Sequence, residues 1–470
     1  MVVATSEGTR AARWPILAAI ALLGFAALFA LAIRVTEPQA ISPWESAIAM
    51  EGMRARAGLP LYDSSHATHL YGPLLTLSVA FIFAVTGLNL LAARIVFCAV
   101  GVALAFVCAR IGSVGKSREN FALSFAMFLA IGWRTNFINY SAQPDAIAAL
   151  LAIVGLVLFV RKNRSVNKLL ALVLLVAAVF FKQTSAAFAL VPVVHAAISG
   201  ERSWRRFTIA GVPAATVLFS LLATRIISPA LFHGMIVVPA SLAIHWERAL
   251  PSTLFVLATF PILYVAWLKA PRLRRENAVE TWSIAAMIVL VPLSIWTMLK
   301  SGGGYSSLFP GYLAILAFVS CRFDEIIRSD SVLNAVASVG ALLVSIFFQI
   351  DKTLPLLSAR AADDHYEDAI AVARQLGSDV ISPQDPTISF RANGSFSPAL
   401  FFELDTSSIR GEWPVVMPPN LAAALSRAHF VVEAESYVPV PQFAMALAQA
   451  GFHKVEFPQL ANSAYSIWEK

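Results

Sequence analysis

The chain is 470 residues long, 58% hydrophobic and only 13% charged, with a mean hydropathy of +0.71. Soluble domains carry about 25% charged residues, so a soluble multidomain enzyme and a disordered chain are excluded; three cysteines, Cys98, Cys108 and Cys321, all in apolar runs, exclude a disulfide scaffold. The net charge of +7 is spread as short basic clusters between apolar runs, which orients a polytopic membrane protein and does not form a nucleic-acid surface.

A spanning helix needs about 20 apolar residues. In chain order the candidates are 14–34, 90–109, 120–134, 144–160, 168–181, 185–199, 207–227, 251–268, 281–299, 308–321 and 332–350. The first follows Arg10 and Arg13. It is too long for a signal peptide core and is followed by further apolar segments, so it is read as a retained helix.

The run 71–86 decides the topology. If it spans, the clusters at 110–118, 161–168, 202–206, 269–275 and 322–328 place sixteen Lys and Arg residues outside, against the positive-inside rule. If it lies along or dips into the outer face, all sixteen are cytoplasmic. The second reading is adopted: eleven spans, an inside N-terminus, an outside C-terminus, and a long first outer loop over 35–89. From Asp351 the composition turns polar. Helical spacing over 365–376 and 441–450, and short apolar runs at 379–381, 429–433 and 454–457, predict a small α/β domain over 351–470 on the outer side. The fold class is therefore an all-α polytopic membrane protein, residues 1–350, followed by that domain.

Ionisable residues at membrane depth mark pathways or sites. On this topology Glu37, Glu45, Glu51, Arg54, Arg56, Asp63, His66 and His69 fall in the first outer loop. Arg94, Arg134, Asp145, Lys182, Arg225, His233, His245, Glu247, Arg248 and Lys300 lie at or near the same face. The cytoplasmic set is mainly Lys and Arg in anchoring positions, so any reaction centre faces away from the cytoplasm. A desolvated Glu45 suits a general base, against the plainer reading of a solvated loop glutamate. Lys182, beside Gln183 and Thr184, is either a snorkelling anchor or part of a phosphate pocket. Arg94 and Arg225 match phosphate oxygens by shape, and interhelical hydrogen bonding is the plainer role for each. His66 and His69, with Asp63 nearby, have a spacing open to a divalent metal; no cofactor is assigned. Ser301 to Tyr305 lacks the Lys-Ser/Thr of a phosphate loop and reads as a flexible outer turn.

The order Glu45, Gly58-Leu59-Pro60-Leu61-Tyr62, Tyr71-Gly72-Pro73-Leu74 and Ala92-Ala93-Arg94 resembles the bacterial GT-C superfamily of membrane glycosyltransferases. The similar branch is that of glycosyltransferase family 39, with the protein O-mannosyltransferases and the lipid A aminoarabinose transferases. Gln143-Pro144-Asp145 resembles that group's Arg-Pro-Asp, Phe181-Lys182-Gln183-Thr184 its Lys-Gln-Thr segment, and Lys300 to Tyr305 its late Lys-x-Gly turn. The resemblance covers about 35–320.

The resemblance implies transfer of a sugar from a polyprenyl-phosphate donor to a lipid, glycan or protein acceptor at the periplasmic face of a bacterial inner membrane. The family's first-loop Asp-Glu pair appears here as Trp44-Glu45, and its arginine as Gln143. By position, Glu45 and Asp145 are the candidate catalytic carboxylates, and Arg94, Lys182, Arg225 and Lys300 the donor-phosphate ligands. Tyr62, His66, His69, Tyr71 and Tyr305 are the candidate substrate contacts. Glu45 would take the acceptor proton in a single inverting displacement, while the bases stabilise the leaving phosphate. The alternatives are a polytopic lipid or sugar transporter or flippase, against which the absence of a repeat counts, and a non-catalytic relative.

Overall fold

The computed structural model of the protein describes residues 6–62, 66–132, 140–160, 165–200, 203–258, 278–324, 332–361, 365–407, 412–435 and 440–470. Asp63, Arg134 and most of the basic clusters at 161–168 and 269–275 lie outside the described residues.

Helix α1, Ser6–Val35, packs along the helix Val332–Ala361 and against α5, Arg118–Ala130. Its inward stripe of Leu23, Ala27 and Ala30 is buried while Leu22, Phe25 and Phe29 are exposed, the pattern of a helix with one face in a bundle and the other in lipid. Among the described residues, four helices are long and apolar enough to cross a membrane: Trp14–Val35, Leu90–Gly112, Trp204–Ile227 and Val279–Leu299. Shorter apolar helices, among them Pro144–Val160 and Ser165–Phe181, complete the bundle.

The first outer loop is mostly helical. In α2, Pro43–Arg56, the Ser42 side chain caps the helix, Pro43 sits at the first turn and Glu45 follows three residues after the cap. Ser-x-x-Glu is a capping box, and Glu45 reaches back to the Ile41 N–H at 2.7 Å. Helix α3, Pro73–Thr86, has 14 residues, about 21 Å at 1.5 Å per residue, short of a hydrocarbon core of about 30 Å. Leu75, Val79 and Phe83 are buried, and Leu77, Phe81 and Val85 form an exposed apolar row. One face of α3 is thus packed on the protein and the other is left apolar and exposed. Gly52 lets α2 and α3 pack closely, since a Cβ there would stand 2.6 Å from Val79 Cγ1.

Helix α4, Leu90–Gly112, returns through the bundle. Helices α6, Pro144–Val160, and α7, Ser165–Phe181, form a tightly packed hairpin. The start of α6 and the end of α7 therefore lie at the same end. Beyond α7 the chain turns at Lys182, in extended conformation, into a 3₁₀ segment, Gln183–Leu190, continuing as α8, Val191–Ile198. Helix α9 is Trp204–Ile227.

The long helix Val332–Ala361 runs through Asp351 without a break. After it, a four-stranded mixed sheet forms in the order β1-β2-β4-β3: β1, Val380–Ile381; β2, Phe430–Ala434; β3, His453–Val455; β4, Tyr465–Glu469. β1 pairs parallel to β2, with Val380 opposite Phe430, and β4 is antiparallel to both neighbours. The helices Tyr366–Leu376 and Val440–Gln449 lie close to the stretches read as helical, and β1, β2 and β3 overlap the three apolar runs. β4 was not expected; its aromatic and polar residues interleave without a long apolar run.

The helices Pro386–Asn393 and Leu400–Thr406 pack on α2. Three hydrogen bonds tie this region to the first loop: Trp44 Nε1 to Asp405 at 3.1 Å, the Ala67 N–H to Glu403 at 3.2 Å, and Tyr465 OH to Gln39 at 2.9 Å. Asp385, which caps Pro386–Asn393, is wholly buried. Burial, with a smaller contribution from the charge of Glu45, pushes its carboxyl up to about 6 from 3.8. A raised carboxyl means that the folded chain holds the proton more tightly than the unfolded one. The resulting stabilisation is complete below about pH 4 and is lost as pH rises through about 6, a difference of about 3 kcal/mol. The wild-type melting temperature should therefore fall between pH 5 and pH 8, and Asp385→Asn should flatten that dependence in thermal unfolding of the full chain.

Candidate active site

A cavity of about 410 Å³ opens between the bundle and the sheet region. Its walls are the loop Thr68–Tyr71, Gln143 at the start of α6, Lys182–Thr184 beyond α7, and the turn Lys300–Ser307; Trp44, Phe402 and Asp405 face it from the first loop and the C-terminal region.

Hairpin topology assembles its base. Asp145 opens α6 and Lys182 follows α7, so the two meet at 2.5 Å, 5% and 7% exposed. Each charge also complements the nearer helix terminus. The Lys182 ammonium lies 5.4 Å from the centre of the Tyr71 ring, and Gln183 donates to the Leu70 carbonyl at 2.7 Å. Gly72 makes this approach feasible, because a Cβ there would overlap the Phe180 carbonyl. Gln143 is 4% exposed, and its Nε2 has no hydrogen-bond partner among the described residues.

The wall Thr68–Tyr71 is held from behind. Glu51 accepts from the His69 N–H at 2.8 Å and from Thr76 Oγ1 at 3.0 Å, and its carboxylate also contacts His69 Nδ1. Burial alone would raise the Glu51 carboxyl, but the charge and hydrogen bonds of His69 outweigh it and hold the group below the usual carboxylate range. The other His69 nitrogen lies 3.2 Å from the Gly72 carbonyl. Opposite, Lys300 donates to the Pro239 carbonyl at 2.5 Å and has no carboxylate partner among the described residues. The turn after it needs Gly303, where a Cβ would come within 2.8 Å of three backbone carbonyls. His245 braces the same turn through Ser301 Oγ at 2.9 Å.

Glu45 and Arg94 lie outside the cavity wall, both 0% exposed. Arg94 grips Glu45 with two parallel hydrogen bonds, Nε to Oε1 at 3.0 Å and Nη2 to Oε2 at 2.7 Å, and also binds the carbonyls of Glu37 and Gln39. The Ile41 N–H adds a bond to the same carboxylate, and the Ala142 N–H a long one at 3.5 Å. Geometry thus gives the pair a structural task, pinning the first loop to α4 and to the segment before α6. It leaves neither the Glu45 carboxylate facing an acceptor nor the Arg94 fork facing a phosphate.

Of the other expected residues, Lys182, Lys300, His69, Tyr71 and Tyr305 line the cavity. Asp145 stands directly behind Lys182. Tyr62 is set back, donating to the Tyr71 carbonyl at 2.6 Å. His66 faces a separate polar recess with Arg54, Glu403 and Arg427. Arg225 is exposed at the end of α9, away from the cavity, because the last turn of that helix points outward. His66 and His69 thus face different recesses, and among the described residues no group of three His, Cys, Asp or Glu is placed to hold a metal. The sequence reading missed Trp44, Phe402 and Asp405 as cavity residues. The last two sit one turn apart on Leu400–Thr406, an i, i+3 pair on one face.

No protein-family model and no curated protein matches the chain. Among solved structures, ArnT from Cupriavidus metallidurans, crystallised bound to undecaprenyl phosphate and in the apo state, has the same fold: TM-score 0.56 at 14% identity, over 96% of this chain and 97% of that one. A weaker likeness, TM-score 0.46 at 13% identity over 91% of this chain and 69% of that one, links it to an oligosaccharyltransferase from Archaeoglobus fulgidus. The chain thus shares its fold with ArnT.

The buried Glu45–Arg94 pair makes a quantitative expectation. Removing one partner strands a charge, at a cost of about 3–5 kcal/mol, whereas replacing both by apolar residues is often neutral. Arg94→Met should therefore lower the unfolding midpoint in detergent strongly, and Glu45→Met/Arg94→Met should recover most of the loss. Additive losses would contradict the pairing.

Proposed function

We propose that the protein is an integral membrane glycosyltransferase that moves a sugar from a polyprenyl-phosphate donor to an acceptor at the periplasmic face, by one inverting displacement. The observation that carries this reading is the convergence of side-chain donors, two of them buried, on one cavity at a bundle end. Lys182, the Gln143 Nε2 and Lys300 all line it, and among the described residues Gln143 Nε2 has no hydrogen-bond partner and Lys300 no acid partner. A phosphate oxygen satisfies such donors, and its developing charge is stabilised by them as the sugar departs. Support comes from the shared fold with ArnT, which was crystallised with undecaprenyl phosphate.

The chain's own residues divide the work. Lys182 is held by Asp145 and Tyr71, so its position is fixed before any ligand arrives, which lowers the cost of ordering on binding. Lys300 and Gln143 meet the phosphate from other sides. Thr68–Tyr71, locked by Glu51, shapes the sugar side, and Tyr305 offers an aromatic face there. A separate apolar cavity of about 290 Å³, lined by the far half of α6 with Phe188, Val191 and Trp282, provides hydrocarbon-compatible space within the bundle. Eleven spans, a cytoplasmic N-terminus and a periplasmic sheet region follow from the charge distribution. The acceptor is a lipid, glycan or protein hydroxyl or amine.

Lys300→Met should weaken binding of polyprenyl phosphate by about tenfold, the size of a lost charge-assisted hydrogen bond, with little change in melting temperature. Lys182→Met should weaken it at least as much and also destabilise, because Asp145 is left unpaired. Unchanged lipid-phosphate affinity in both variants would remove the phosphate assignment. A phosphatase reporter fused after Lys470 should be active in the periplasm, and cytoplasmic folding of that reporter would overturn the topology.

A further inference from the structure

We infer that Asp405, carried by the C-terminal region, is the general base of the cavity. The inference rests on the transferase reading above and deepens it. Of the residues lining the cavity, Asp405 is the one carboxylate among those described. Glu45 and Asp145 stand outside that wall. Both oxygens of Glu45 accept from the Arg94 fork, out of the cavity wall, and Asp145 holds Lys182.

Two further features give Asp405 a fixed position. The Trp44 indole N–H donates to its Oδ2 at 3.1 Å, and the Trp44 ring packs on Phe401, four residues earlier, at 4.9 Å between centroids. The short helix Leu400–Thr406 then separates its two acids by side. Glu403 turns to the Ala67 N–H and the Asn420 amide, while Asp405 and Phe402 share the cavity face. Asp405 is only half-buried, so an acceptor arriving from water can reach it. Trp44 is thus a positioning residue: its indole N–H orients an acid from another part of the chain.

The step balances with the groups named. The acceptor hydroxyl oxygen attacks the anomeric carbon and forms the new C–O bond as its proton passes to the Asp405 carboxylate. The bond from the anomeric carbon to the phosphate oxygen breaks, and its electron pair leaves on polyprenyl phosphate, beside Lys182 and Lys300. Asp405 then releases the proton to water.

The test uses the full-length chain in lipid nanodiscs, a radiolabelled polyprenyl-phosphate sugar panel with membrane lipid extract, and polyprenyl phosphate alone as the binding probe. Asp405→Asn keeps the shape and an acceptor for the Trp44 N–H. It should lower kcat at least about 100-fold, the lower end of general-base effects, while binding polyprenyl phosphate as the wild type does. Asp405→Ala should be similarly inactive and regain activity with added formate. Trp44→Phe should reduce kcat about tenfold with KM for the donor unchanged, which keeps the inference testable if either Asp405 variant fails to fold. Wild-type kcat in Asp405→Asn, with transfer otherwise intact, would overturn the role of Asp405 and leave the transferase reading standing. A wild-type chain that neither binds polyprenyl phosphate nor transfers sugar overturns both.

Discussion

The bidentate pair between Glu45 and Arg94 is the constraint on which the cavity's shape depends. An arginine and a glutamate both at 0% exposure are stable only when each satisfies the other, because an isolated charge at that depth is very costly. The pair closes the capping box of α2, fastens the loop before α2 to α4, and reaches the chain entering α6. With the first loop so fixed, α3 packs on α2, Thr68–Tyr71 is presented as a wall, and Trp44 faces the C-terminal region.

A second buried pair, Asp145 with Lys182, does for the bundle what the first does for the loop. It arises from the packing of α6 against α7, which brings the N-terminus of one helix beside the C-terminus of the other. One lysine of the cavity is therefore fixed by an acid and an aromatic ring, and the other, Lys300, stands on a glycine turn with no acid partner among the described residues. A rigid cation beside an uncompensated one is a sound arrangement for an anionic ligand: the first sets position, and the second supplies net attraction.

Much of this was legible in the sequence, and the failures have physical causes. Hydrophobic run length located the described apolar helices, because the lipid requirement is read residue by residue. The positions of Lys182, Asp145, Tyr71 and Lys300 at one end were expected from the sidedness of Lys and Arg. The role of Glu45 did not. The Ser42-x-x-Glu45 spacing marks a capping box, but catalytic and capping carboxylates look alike until the partner is known, and Arg94 is 49 residues away. Asp405 was invisible for the same reason at greater range: nothing local says that a short helix some 360 residues on will lie against Trp44. β4 was missed because its aromatic and polar residues interleave too evenly to stand out, and because strand pairing is a long-range choice.

The account's central claim is that a lipid phosphate sits in the cavity between Lys182 and Lys300, in front of the Glu45–Arg94 pair and not upon it. The most direct measurement is an electron cryo-microscopy structure of the full chain in nanodiscs with polyprenyl phosphate. The account predicts phosphate density within hydrogen-bond distance of the Lys300 ammonium and the Gln143 amide, with Glu45 and Arg94 still joined. Phosphate bound to Arg94 with Glu45 released, or a lipid phosphate lodged elsewhere while the cavity stays filled by side chains, would contradict it.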